Sequence, residues 1–522
     1  MTGNHRRAFL AKVGSGMLAA GIGASLAEDL GLGTAFGDQS DQRLTFGAME
    51  PLVSLLEETP ADKLLPIVVE KIKAGTDLKT LIAAGALANA RAFGGQDYVG
   101  YHSFMALLPA YQMSQELPTE RRALPVLKVL YRNASRLQES GAAKREALQV
   151  VQAAEGIDAA KRGERLLEAV HAGDYNQAES VFAALSQGPA GEAFHHLQWA
   201  VEEEADVHRV VLSWRAWAML PLAGEEHANT LLRQSVRYCV QAEQYVRDRK
   251  RAPSELRTLL PNLLDKYRLL ADQRRNASRE KQIASDAWVE ELSNVIYAEN
   301  RSRAAEAVAA AIAEDYDLEA IGEAISMAAN KLVLHDPGRR PENSNALKPP
   351  GGVHGDSVGV HASDAANAWR NIARVSHARN AAASLIVGAY HTAGQTGQNT
   401  KTPYPYVEQL DAIKSRDSDA LLKELDDAIR AKDQARACAA AHHFSDQKHD
   451  AAPLFALLLG YATSEDGALH AEKYYRTVSE EYSAIRPAFR GRQLIALARV
   501  TASEYGFPAA GYKQACELLG VS

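Results

Sequence analysis

Apolar residues recur at spacings of three and four through most of this chain. PADKLLPIVVEKIKAG, AKRGERLLEAVHAGDY and DALLKELDDAIRAKDQ each place an apolar stripe along one face of a helix. Glycines close such runs, as at Gly75 and Gly173, where helix C-caps are expected. Alternating apolar and polar positions, the mark of strands, are scarce. Alanine is abundant, which favours helix and lets helices approach closely. The pattern predicts an all-α fold from about residue 46 to the C-terminus at residue 522.

Stacking the runs brings out a repeat. Four stretches share an order: an amphipathic helix, a short break with an acidic residue (Asp77, Asp174, Asp315, Asp433), then an Ala-rich helix. A histidine follows at the start of the next helix: His102, His208, His361 and His470. The intervals are nearly equal except between His208 and His361, where a Pro/Gly-rich insertion at about 332–360 adds length. Units of this kind bury their apolar faces only against neighbours, so the expectation is one helical quasi-repeat array or toroid of about four units.

The insertion contains LHDPGRRPEN and GVHGDSVGVH. Pro337, Pro341, Pro349 and Pro350 prevent helix, while Gly351, Gly352 and Gly355 allow sharp turns. Long irregular segments in compact domains are often functional. His354 and Asp356 are therefore the catalytic candidates: an imidazole and a carboxylate brought together by a turn. His102, His208, His361 and His470 are the metal-ligand candidates, because quasi-equivalent helix starts can aim four imidazoles at one centre. Histidine ligation suits iron, copper or zinc and does not separate them. His391, at the end of the apolar run NAAASLIVGAY, is a further candidate. Glu204 and His208 lack the Glu-x-x-His spacing on two helices that a di-iron bundle needs.

Composition narrows the classes. A net charge of −7 excludes the basic surface of a nucleic-acid binder. Three scattered cysteines form neither a disulfide framework nor a C-x-x-C site. The nucleophile elbow, the P-loop and the H-E-x-x-H motif are missing.

The N-terminus reads NHRRAFLAKVGSGMLAAGIGASLAED. Arg6-Arg7 precedes Phe9-Leu10 and Lys12, then a weakly apolar run from Val13 to Ala27 with Ser25 and Ala27 before Glu28. This resembles a twin-arginine export signal, departing from it at His5 and Ala11. The resemblance implies a signal peptide over 1–27, a linker over 28–45, the twin-arginine translocase as partner, and a periplasmic or cell-envelope destination. The membrane is met only through that segment. Cargo of this route crosses already folded, often with a metal inserted first. The Ala-rich helices with His102, His208, His361 and His470 at their starts are similar in pattern to the questin-oxidase-like family, which implies oxidative chemistry on a small molecule. The functional expectation is an exported metal-dependent oxidoreductase. The alternative is a non-catalytic helical-repeat scaffold of the cell envelope.

Overall fold

The computed structural model describes residues 43–141, 146–158, 161–270, 282–355 and 357–521. The export segment, the linker up to residue 42 and Asp356 lie outside these. Among the described residues the protein is all-α, with twenty-three α-helices and only isolated β-bridges. The first five are α1 (Glu50–Glu58), α2 (Ala61–Lys73), α3 (Leu78–Phe93), α4 (Tyr98–Glu116) and α5 (Ala123–Ser140). Six follow: α6 (Arg162–Ala172), α7 (Tyr175–Leu185), α8 (Ala190–Val201), α9 (Val207–Ala223), α10 (Ala228–Asp248) and α11 (Leu256–Lys266). Then come α12 (Asp286–Ala298), α13 (Arg301–Ala313), α14 (Leu318–Leu334), α15 (Val358–Val375), α16 (Ala378–Thr392) and α17 (Val407–Ala412). The last are α18 (Ser418–Arg430), α19 (Gln434–Asp446), α20 (Ala452–Ser464), α21 (Ala471–Ala484), α22 (Arg490–Glu504) and α23 (Tyr512–Leu519). No described helix is long and apolar enough to cross a membrane.

The acidic breaks have a local cause. Asp77, Asp174 and Asp433 are N-caps, each accepting a hydrogen bond from a backbone N–H of the first turn it opens. In the third stretch the roles shift by two residues. Asp315 takes a left-handed turn conformation, and Asp317 occupies the cap position of α14.

Helices that are neighbours in sequence pair in space: α3 on α4, α4 on α5, α9 on α10, α14 on α15, α15 on α16 and α21 on α22. Four helices from distant parts of the chain also meet. α4 packs on α9, α9 on α15, α15 on α21, and α21 back on α4. These contacts close into an inner ring whose order around the ring is the order along the chain. Buried apolar residues form one extended cluster over the first three quarters of the chain and a second around α18 to α22.

Close helix contact depends on small residues at the seams. Gly359, in the first turn of α15, faces the backbone of α14: a Cβ there would lie 2.5 Å from the Val333 nitrogen. Backbone cannot yield as a flexible side chain does, so Gly359→Ala must push α15 away from α14. The expected result is a loss of about 1–3 kcal/mol in stability with His361, two residues on, displaced. Denaturation midpoints check the first effect. A variant as stable as the parent would show that the seam is looser than its geometry.

The insertion between α14 and α15 is an ordered strap. Arg339 and Gly351–Gly352 exchange backbone hydrogen bonds. Asp336 accepts from the Gly338 N–H and the Ser357 hydroxyl at 2.8 Å each. Arg499 on α22 donates to the carbonyls of Val333 and Asp336.

Candidate metal centre

Each ring helix brings its histidine in near its N-terminal end: His102 on α4, His208 on α9, His361 on α15, and His470 as the N-cap of α21. The four imidazoles gather. Ring centroids are 4.8 Å apart for His102–His208, 5.7 Å for His208–His361, 4.9 Å for His361–His470 and 5.3 Å for His470–His102. The rings form a quadrilateral in chain order, as their helices do. His102, His361 and His470 each offer a nitrogen within 4.8 Å of the others. His208 closes the quadrilateral by its ring but is not part of that close group.

Their hydrogen bonds orient the rings. His102 Nδ1 lies 2.7 Å from the Tyr98 carbonyl and His361 Nδ1 lies 3.0 Å from the Ser357 carbonyl, each one helical turn back. His470 Nδ1 lies 2.8 Å from the Ala468 carbonyl. A carbonyl only accepts, so Nδ1 carries the proton in all three and Nε2 presents a lone pair. His361 Nε2 and His470 Nε2 stand 3.2 Å apart. The Nε2 atoms of His102 and His208 are buried without a hydrogen-bond partner.

The turn before His470 is unusual. Gly467, Ala468 and Leu469 have φ of 53°, 51° and 69°. Left-handed conformation disfavours an L-residue with a side chain by about 1–2 kcal/mol, and two of these three residues have one. Neighbours hold the turn: Asp466 N–H donates to the Phe507 carbonyl at 2.8 Å, and Arg132 pairs with the Asp466 carboxylate at 3.3 Å. The strap also leans on it, since a Cβ at Gly355 would touch Ala468 at 3.2 Å.

One wall of the site is aromatic. Tyr101 stacks on His102 at 5.0 Å, and Tyr98 approaches both His102 and His208. Tyr238 stands edge-on to Tyr101 and donates its hydroxyl to Asp206 at 3.2 Å. Below the histidines lie buried charges. Lys473 and Asp364 sit one turn beyond His470 and His361, and Arg215 sits two turns beyond His208. Asp364 accepts from the Thr477 hydroxyl at 3.1 Å and lies 3.7 Å from Arg215.

Burial pushes the basicity of His102 and His470 well below the usual value, and the charge of Lys473 pushes the same way. Burial also lowers His208, against the opposing charge of Asp206. Lys473 itself is lowered to about 8 by burial, with Asp364 and Glu472 opposing. A histidine that stays neutral in the folded state but takes a proton near pH 6.5 when unfolded withdraws stability as pH falls below about 6.5. The metal-free protein is therefore expected to lose stability on acidification from pH 7 to 5. A flat denaturation midpoint over that window would contradict this.

The other candidates lie elsewhere. His354 is buried under the strap, with Nδ1 2.7 Å from the Ser503 hydroxyl and Nε2 3.1 Å from the Leu347 carbonyl. Its geometry is that of an anchor tying the strap to α22, and it does not join the four-histidine group. His391 Nδ1 accepts from the Trp369 indole at 3.3 Å and is not part of the close group of His102, His361 and His470. A second cluster gathers His171, Glu203 and Glu243, but Arg257 sits in it and pairs with both carboxylates.

Fold and site together define an all-α protein in which four histidines gather where four helices meet, three of them with nitrogens within 4.8 Å of one another. No known protein family, curated protein or solved structure matches this chain.

Proposed function

We propose that the four histidines bind one transition-metal ion, and that the protein is an exported metal-dependent enzyme acting by redox or oxygen chemistry on a small molecule. One observation supports the metal above all. His361 and His470 direct Nε2 lone pairs at each other across 3.2 Å, with both Nδ1 protons committed to carbonyls. Two lone pairs at that distance repel. A tetrahedral ion with bonds of ~2.0–2.1 Å separates its nitrogen ligands by about 3.3–3.4 Å, close to what is found. A shared proton would also join the rings, but it requires an imidazolium. Burial and the neighbouring Lys473 charge both work against one on His470.

Iron, copper and zinc all suit this donor set. Oxidative chemistry rests on the aromatic wall beside the site and on the family resemblance in helix pattern; export rests on the Arg6-Arg7 segment. The partly exposed edges of His208 and His361 leave a side for a small molecule.

The test is retention of metal against protons. Because burial holds His102, His208 and His470 below the usual histidine range, a loaded protein is expected to keep its metal from pH 7 down to about pH 5.5, where ordinary histidine sites are already competing with protonation near pH 6.5. Metal content after equilibration at each pH decides it. Half-release close to pH 6.5 would count against the buried centre.

A further inference from the structure

We infer that the metal expands to a fifth coordination position beside the four histidines, and that this position takes a small anion, held there by the charge of Lys473. This rests on the metal reading above. All four donors are neutral, and no carboxylate joins the group among the described residues. A divalent ion bound there keeps its full charge.

The surrounding charges do not cancel it. Two buried cations lie beneath the site, exposed by only 2% and 1%: Lys473, whose charge acts on His102, His208 and His470, and Arg215 beside Asp364. Arg215 Nε and Nη2 lack hydrogen-bond partners. On the negative side, Asp364 sits between Thr477 and Arg215. Asp206 accepts from Tyr238 and the Arg209 N–H, and lies 3.7 Å from His208 Nδ1. Glu472 is taken by Lys128 at 2.6 Å. Glu480 is drawn by Arg215, Asp206 is opposed by Arg209 and Asp364 by Lys473, so these acids are matched by cations of the chain and the metal's charge remains. The N-terminal ends of α4, α9, α15 and α21 also meet here, which adds positive potential. An uncompensated dication is strongly disfavoured in so buried a place. An anion entering past the partly exposed His208 and His361 restores the balance. The ligand class is a small carboxylate, oxyanion or pseudohalide with one donor atom for the metal.

The experiment loads the full chain with cobalt(II) at pH 7 and titrates it with azide, following the visible bands of the metal. Saturable band shifts are expected in the parent protein. Lys473→Met should weaken azide by about tenfold or more, and Lys473→Arg should keep the affinity within about threefold. Asp364→Asn, which removes the opposing charge without changing shape, should tighten it. This increase also tests the inference if Lys473→Met fails to fold, because loss of a merely structural contact does not raise affinity. Azide that leaves the parent spectrum unchanged, or an Asp364→Asn variant that binds azide no more tightly, overturns the anion site while the metal reading stands. A chain that takes up no cobalt overturns both.

Discussion

Replacing His361 by alanine is expected to remove bound metal almost completely while leaving helix content unchanged. His361 is the hinge of the constellation. Its Nε2 faces His470, its ring borders His208, and it belongs to the close triplet with His102 and His470. Loss of an outer partner of a metal ligand typically weakens affinity 10–100-fold, so loss of a ligand shared by three neighbours should exceed that. Stability should change little or rise. Removing the ring relieves the lone-pair opposition with His470 and withdraws a half-buried polar group. Elemental analysis and circular dichroism on the same preparation check both parts. An unchanged metal content would exclude His361 as a ligand. Parallel loss of metal and helix would mean that the residue holds the ring together instead.

The second large effect concerns the N-terminal helices. Arg91 on α3 is fully buried. It pairs with Glu50 at 2.7 Å and with Glu57, donates to the Leu44 carbonyl at 2.8 Å, and lies over the Phe46 ring at 5.1 Å. Arg91→Met leaves Glu57, 1% exposed, as a buried carboxylate that has lost its strongest partner. Breaking such a pair from one side typically destabilises by about 3–5 kcal/mol. Replacing both partners, as in R91M with Glu57→Leu, should recover a substantial part, because the penalty comes from the abandoned charge. Denaturant midpoints of the two variants measure this. A loss under about 1 kcal/mol for R91M would show that solvent reaches Glu57 despite its position.

The helices and the histidine positions were legible in the sequence, and the reasons are physical. A period of 3.6 is imposed by burying one helix face, so the runs around Leu64, Leu166 and Leu425 marked their helices directly. His102, His208, His361 and His470 stood out because each recurs at a helix start. Lys473 and Asp364 could have been found as well, since they lie at i+3 from His470 and His361 and so share their faces. Other features leave no local mark. The left-handed turn at Ala468 and Leu469 uses residues that do not favour it, so only the packing around Asp466 and Gly467 explains it. The burial of His354 is likewise set by a distant partner, Ser503 on α22. A Gly-rich loop looks the same in sequence whether it lies open or is strapped down. The third break holds two acids, Asp315 in the turn and Asp317 two residues on at the cap, and cap and turn acids are alike in sequence until the backbone is seen.

The metal reading places one ion among the four histidines. Its most direct measurement is the metal content of the full chain folded in a metal-supplemented cytoplasm, joined to X-ray absorption at the edge of the metal found. The prediction is about one ion per chain, bound by three or four imidazole nitrogens at ~2.0–2.1 Å, as imidazole–metal bonds require. Less than about 0.2 ion per chain, with the protein folded, would contradict it. That result would leave the all-α fold as a scaffold whose histidines only cap and pack.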